Sequence, residues 1–231
     1  MKEQHLKPER TNLMYFLMLD SETCNTVIVD GQLDVANGQV YDLGGKVIDE
    51  FGNEYERFSV VNEDVFFGMT DQMNEAYYSA KIPQYLHDIR QGTRKVVNTW
   101  QMWKIVRDLC TKWHIQAVVA HNAHFDICVL NSTLRYQTKS MKRYFLPYNM
   151  RVIDTMKLAK RVYGQNVEYQ NFCRENNLMT NHKTPRPKLT AEALYRFISQ
   201  QKDFVESHTG FEDVEIESVI FTKCLEALRA K

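Results

Sequence analysis

Residues 13–24 read LMYFLMLDSETC, an unbroken apolar run followed by two acids that one residue separates. The run from Leu13 to Leu19 is typical of a central strand that is buried on both faces of a sheet. Successive strand side chains point to opposite faces, so Asp20 and Glu22 project to the same side. Paired carboxylates repel each other unless a cation lies between them, and Mg²⁺ prefers such oxygen ligands. The stretch predicts a cation site at the end of a buried strand; the alternative is a solvated acidic loop.

The rest of the chain predicts a mixed sheet covered by helices. Three strands come first and alternating helices and strands follow, an order typical of an α/β sheet protein. Period-two and helical spacing define the elements. In chain order these are a turn-rich stretch around Asp30-Gly31 and Asn37-Gly38, strands at 39–48 and 55–61, a helix at 97–113, a strand at 115–120, a helix at 125–134, a strand ending at 152–154, a helix at 156–162, a polar loop at 176–189 and a last helix at 212–228.

Composition and charge exclude several classes of protein. The chain of 231 residues is 44% hydrophobic and 25% charged, which is typical of a globular domain and not of a disordered chain. Its 29 basic residues balance 29 acidic ones, so a polyanion would have to be bound locally. Five scattered cysteines indicate reduced thiols, and no apolar run reaches the about 20 residues of a membrane span. We expect a cytoplasmic protein with no membrane partner, a polar extension at 1–12 and a single domain at 13–231.

A second polar cluster, His121-Asn122-Ala123-His124-Phe125-Asp126, follows the strand predicted at 115–120. Asn122 could cap a helix, which would place Asp126 about one turn into that helix, near the carboxyl end of the strand. Binding sites of open sheets form at those ends. The alternatives are a capped helix with an incidental acid, or a His/Asp zinc site for which no third ligand is indicated.

A third cluster lies directly before the last helix. The pattern Thr209-x-x-Glu212 is a capping box, which would make Thr209 the N-cap. His208 then precedes the cap and Asp213 is the fourth helical residue, the two positions whose side chains meet in a hydrophobic staple. A histidine and an acid are therefore expected to lie together at a helix N-terminus. The alternative is a polar helix cap with an incidental His–Asp pair.

In this order the three clusters resemble the motifs of the DEDDh (DnaQ-like) 3′–5′ exonucleases, which include proofreading subunits, ribonuclease T and oligoribonuclease. The matching residues are Asp20-x-Glu22, His121-Asn122-Ala123-x-Phe125-Asp126 and His208-x-x-x-x-Asp213, with lesser similarities at Gly44-x-x-Val47 and Asp154-Thr155. The resemblance implies a ribonuclease H-like α/β fold: a mixed five-stranded sheet of a three-stranded antiparallel meander and two parallel strands, flanked by helices on both faces. The sequence departs from the family at Cys24-Asn25, at Thr209-Gly210 and in the long segment 176–207.

The resemblance also implies a chemistry. The family would hold two divalent cations, Mg²⁺ or Mn²⁺, with the residues that match Asp20, Glu22, Asp126 and Asp213. His208 would be the general base that activates water, since an imidazole pKa of about 6.5 suits neutral pH. The reaction would be hydrolysis of single-stranded DNA from its 3′ end to nucleoside 5′-monophosphates.

Substrate and partners are less constrained. The residues expected to contact the substrate are Thr23, Cys24, Asn122 and Phe125, of which Phe125 could stack on a base or simply fill the core. One alternative is an exonuclease of the same family that trims RNA or degrades oligoribonucleotides. Another is a catalytically silent replication accessory protein that binds single strands. A DNA polymerase or another replication protein is a candidate partner.

Overall fold

A computed structural model describes residues 13–25, 27–29 and 32–230. The polar extension expected at 1–12 and the turn expected at Asp30-Gly31 lie outside the described residues. The strands are β1 (Tyr15–Cys24), β2 (Val27–Val29), β3 (Gln32–Asp34), β4 (Gln39–Asp49), β5 (Glu54–Asn62), β6 (Lys95–Val97), β7 (Ala117–Ala120) and β8 (Val152–Asp154). The helices are α1 (Glu63–Phe66), α2 (Thr70–Asn74), α3 (Ile82–Gln91), α4 (Thr99–Lys112), α5 (Ala123–Thr138), α6 (Thr155–Tyr163), α7 (Val167–Glu175), α8 (Ala191–Ser199) and α9 (Gly210–Arg229), with a 3-10 turn at Ser79–Lys81.

The main sheet of the described chain has six strands in the order β6-β5-β4-β1-β7-β8. The strands β1, β4 and β5 form the antiparallel meander, while β7 runs parallel to β1 and β8 runs parallel to β7. The mixed α/β sheet predicted from the sequence is therefore confirmed, but the expected count of five strands is wrong. The additional strand is β6, which pairs in parallel with the end of β5. Its three residues are too few to show a strand period in the sequence.

Helices cover both faces of β1, and this explains its unbroken apolar sequence. Leu17 and Leu19 point into a core formed with α4 and α5. Phe16 and Met18 point to the other face, where they pack against Phe221 and other residues of α9. Because residues 15–19 of the strand all meet an apolar layer, the alternation of polar and apolar residues typical of a half-exposed strand is absent there.

The predicted helices around the sheet are present, with ends that differ by a few residues. The stretches predicted at 97–113, 125–134, 156–162 and 212–228 form α4, α5, α6 and α9. The stretch predicted as a polar loop at 176–189 is irregular apart from one bridge between Met179 and Pro187. In the part of the chain that the structure describes, no helix combines the length and apolar character of a membrane span.

Two glycines bring α9 into backbone contact with β4. A Cβ atom added to Gly44 would lie 2.3 Å from the carbonyl carbon of Gly210, so this approach requires the absence of a side chain. The amide of Gly210 also donates a hydrogen bond to the carboxylate of the fully buried Asp42, at 2.9 Å. The first turn of α9 is thereby fixed against the sheet, next to the end of β1.

A buried ionic network holds Asp42 in place. Arg94 donates from Nη1 to both Asp42 oxygens at 3.0 Å and from Nη2 to Glu212 at 2.8 Å. The hydroxyl of Tyr85 donates to Asp42 Oδ2 at 2.8 Å. Charge-assisted hydrogen bonds of this kind are stronger than neutral ones. The network therefore connects the β6 side of the sheet to the beginning of α9.

Candidate active site

The polar side chains at the end of β1 alternate between the face that α9 covers and the face that α5 covers. Asp20 and Glu22 continue the face of Phe16 and Met18, which is covered by α9. Ser21 points to the opposite face, and its hydroxyl donates to the carboxylate of Asp126 on α5 at 2.7 Å. Because β1 and β7 are parallel, the end of β1 and the beginning of α5 lie at the same edge of the sheet.

Acids from β1 and α9 converge at this edge. Among the described residues, one carboxylate oxygen each from Asp20, Glu22 and Asp213 lie within 4.8 Å of one another. Burial and the charge of Asp213 raise the pKa of Glu22 to about 9. Burial and the charge of Glu206 raise the pKa of Asp213 to about 8, and burial together with the neighbouring acids raises the pKa of Asp20 well above its usual value. Without a bound cation, these acids therefore retain protons that exposed carboxyl groups lose at neutral pH.

Asp126 lies beside this group rather than within it. Its side chain is 2% exposed, and burial raises its pKa to about 7 although the hydrogen bond from Ser21 opposes the shift. The charge of Asp126 contributes to the raised pKa of Asp20, which places the two carboxylates in one electrostatic cluster. The four acids indicated by the sequence thus share one edge of the sheet.

Two acids of the cluster were missed from the sequence. Glu217 is 2% exposed and accepts a hydrogen bond from the backbone amide of His121 at 3.2 Å. It lies four residues after Asp213 on α9, so the helical period already places both carboxylates on one face. Glu206 offers a carboxylate oxygen within 4.8 Å of ligand atoms of His208 and Asp213. That position could not be predicted, because it depends on the path of an irregular segment.

His208 lies against the acids as expected. Its Nδ1 is 3.8 Å from Glu206 Oε2, and it forms a group of possible ligands with Glu206 and Asp213. The backbone of His208 is left-handed, with φ at 51°, which is uncommon for a residue other than glycine. Burial and the positive charge of Lys81 lower the pKa of His208 below its usual range. The lowered pKa favours the uncharged form of the imidazole at neutral pH.

The two predicted helix caps occupy the expected positions but lack the expected bonds. Asn122 precedes α5 with a left-handed backbone, φ 61°, and its side chain makes no cap bond. An N-cap side chain reaches the first turn from the extended region, which explains the difference. Thr209 precedes α9 in an extended conformation, also without a cap bond to the backbone. Its hydroxyl donates to the carboxylate of Glu212, so the predicted capping box is wrong.

The predicted substrate contacts differ in their access to solvent. The side chain of Asn122 is exposed, whereas Thr23 is 8% exposed. Cys24 is fully buried in an apolar cluster with Tyr41 and other residues of that cluster, so its side chain faces the core. Phe125 is half-buried and packs against the main core, the second of the two roles the sequence allowed. Contacts with a ligand through Cys24 would have to use its backbone.

The donor set fits hard divalent cations. The group on β1 and α9 offers only carboxylate oxygens, which suit Mg²⁺ and Mn²⁺ better than the sulfur and nitrogen ligands typical of structural zinc. The second group adds a single imidazole. Burial of this many like charges is costly unless cations neutralise them. The residues present therefore fit a divalent metal centre.

The fold resembles that of solved exonuclease I structures. The zinc-bound complex of E. coli exonuclease I with single-stranded DNA matches 94% of this chain and 41% of its own, with a TM-score of 0.58 and 16% identity. Apo exonuclease I matches 94% and 44% of the two chains, with a TM-score of 0.56 and 15% identity. The moderately thermophilic exonuclease I of Methylocaldum szegediense matches 94% of this chain and 41% of its own, with a TM-score of 0.52 and 14% identity.

These matches establish a common fold, and the function has to be inferred from the residues of the site. The chain spans less than half the length of each of these three exonuclease I chains. No family model matches the sequence, and no curated protein matches it either.

Proposed function

We propose that this protein is a metal-dependent 3′–5′ exonuclease that hydrolyses single-stranded DNA to nucleoside 5′-monophosphates. The observation that supports this most directly is the convergence of Asp20, Glu22 and Asp213 oxygens within 4.8 Å, with Asp126 and His208 beside them. The resemblance to the exonuclease I fold supports the same proposal, since solved complexes of E. coli exonuclease I contain single-stranded DNA or a dT13 oligonucleotide. No described residue points to a DNA polymerase as partner.

Asp20, Glu22, Asp126 and Asp213 would hold two divalent cations. Cations bound there would stabilise negative charge on the attacking and the leaving oxygens of a phosphodiester. The protein's own contribution is to fix the carboxylates: β1 directs two of them to one side, and α9 is locked to β4 through Gly44 and Gly210. Ser21 fixes the orientation of Asp126 by its hydrogen bond.

His208 would take the proton from the attacking water. The new bond forms between the water oxygen and the phosphorus of the terminal phosphodiester, and the bond from that phosphorus to the 3′ oxygen of the preceding nucleotide breaks. The leaving 3′ oxygen takes a proton from solvent, so the products are a nucleoside 5′-monophosphate and a strand with a new 3′ hydroxyl. The lowered pKa of His208 favours the neutral ring for this step. Burial raises the pKa of Glu206 to about 7, and in its ionised form this carboxylate, 3.8 Å from Nδ1, would stabilise the imidazolium.

The test is a time course on 5′-labelled DNA and RNA oligonucleotides of equal length, with Mg²⁺. We expect a ladder of shortening labelled products and release of nucleoside 5′-monophosphates, faster on DNA. Asp20→Ala should abolish the ladder and retain the circular dichroism spectrum of the fold. Faster degradation of RNA would favour the RNA exonuclease alternative, and tight binding without any product would favour the binding protein.

His208→Ala separates the two roles open to the imidazole. A general base contributes about 10² to 10⁴ in rate, so kcat should fall by that factor while the affinity for Mn²⁺ stays constant. If His208→Ala instead binds Mn²⁺ more weakly and excess metal restores its activity, His208 is a metal ligand.

A further inference from the structure

The segment between β5 and β6 reaches across to the histidine of the site. The ring of Tyr78 stacks on the imidazole of His208, with centroids 4.8 Å apart and planes inclined by 16°. The ammonium of Lys81 donates a hydrogen bond to the backbone carbonyl of His208 at 3.0 Å. The two residues therefore contact both the ring and the backbone of one amino acid that is distant from them in the chain.

Local geometry explains why Tyr78 and Lys81 act together. Residues 79–81 form a 3-10 turn, in which side chains three positions apart lie above one another. Tyr78 and Lys81 accordingly emerge on the same side, and the Lys81 ammonium lies 5.1 Å from the centroid of the Tyr78 ring. The Tyr78 ring therefore makes two contacts: a cation–π contact with Lys81 and a stacking contact with His208.

His208 has a conformation that needs external support. It lies in an irregular segment, its backbone φ is 51°, and its side chain is 38% exposed. An uncommon backbone conformation persists where the surrounding structure determines it. The contacts from Tyr78 and Lys81 supply that determination from a different part of the fold.

We propose that Tyr78 and Lys81 are positioning residues that hold His208 in its proton-accepting orientation. The inference rests on the proposed role of His208 as general base. Tyr78 fixes the plane of the imidazole through its face, and Lys81 anchors the peptide unit that carries it. Without the tyrosine ring, His208 would occupy several orientations, and only a fraction of the molecules would accept the proton.

The experiment compares Tyr78→Ala and Tyr78→Phe, with Tyr77→Ala as the matched control. Tyr77 is the adjacent tyrosine, 88% exposed, and it contacts Tyr78 by an edge. For Tyr78→Ala we expect kcat to fall about tenfold, which equals about 1.4 kcal/mol of activation free energy, with unchanged KM and Mn²⁺ affinity. Tyr78→Phe keeps an aromatic face and should restore kcat, and Tyr77→Ala should leave it unchanged.

A second measurement does not depend on activity. In the wild type, the stacked Tyr78 ring shields the His208 ring protons, so their NMR signals should move downfield in Tyr78→Ala and stay in place in Tyr78→Phe. An inactive wild type would contradict the nuclease proposal. The NMR shift would still test whether Tyr78 holds the His208 ring. Unchanged signals and unchanged kcat in Tyr78→Ala would overturn the inference, as would a loss of Mn²⁺ affinity, which would assign Tyr78 to the acid cluster instead.

Discussion

Replacement of Asp126 by asparagine should make the stability of the metal-free protein less dependent on pH between about pH 5 and pH 8. Burial raises the pKa of Asp126 from 3.8 to about 7 in the folded chain. Between these two values the folded state binds more protons than the unfolded state, so the free energy of unfolding falls as the pH rises through this window. Above about pH 7 both states are ionised and this contribution to the loss is complete.

The size of the effect follows from the two pKa values. Between pH 5 and pH 8 the titration of Asp126 removes about 3 kcal/mol from the free energy of unfolding, because one pKa unit corresponds to about 1.36 kcal/mol. The substituted asparagine side chain cannot titrate, and its amide oxygen can still accept the hydrogen bond from Ser21. The variant should therefore lose about 3 kcal/mol less than the wild type over this range.

Urea unfolding in the presence of EDTA at pH 5 and pH 8 measures the difference. Asp108→Asn is the matched control, because this acid is on the surface with its side chain 63% exposed and should follow the wild type within about 0.5 kcal/mol. Mn²⁺ at pH 8 should stabilise the wild type more than Asp126→Asn. Equal losses of stability in the wild type and in Asp126→Asn would refute the assignment of Asp126 to a buried environment that raises its pKa.

Two further predictions concern the attachment of α9. Gly44→Ala places a Cβ atom 2.3 Å from the backbone of Gly210, so it should displace the first turn of α9. We expect a loss of about 1–3 kcal/mol in the free energy of unfolding and weaker Mn²⁺ binding. Unchanged urea unfolding and an unchanged Mn²⁺ titration would contradict the glycine contact. Arg94→Met leaves the buried carboxylate of Asp42 without its cationic partner. We expect the free energy of unfolding in urea to fall by about 3–5 kcal/mol, and by less at acidic pH, where Asp42 is protonated. An unchanged free energy of unfolding would mean that the network contributes little.

The parts of the fold that could be predicted are those whose signal is local. The apolar run of β1, the alternation that pairs Asp20 with Glu22, and the helical spacing of α9 depend on residues a few positions apart. The same local spacing contains Glu217, four residues after Asp213, which makes that acid a missed prediction rather than an unpredictable one.

The remaining features depend on distant contacts. The strand β6 forms because its three residues pair with the end of β5, and the position of Glu206 depends on the path of an irregular segment. Asn122 lacks its cap bond because its backbone is left-handed, and Thr209 lacks one while its hydroxyl donates to the side chain of Glu212. The network around Asp42 joins residues 52 and 168 positions apart, which no periodicity reports.

The most direct test of the proposed metal centre is a crystal soaked with Mn²⁺ and a nucleoside 5′-monophosphate, with anomalous data collected to locate manganese. We expect two anomalous peaks about 4 Å apart, bounded by carboxylates of Asp20, Glu22, Asp126 and Asp213. A map without manganese among these carboxylates, or with manganese only elsewhere, would contradict the proposal.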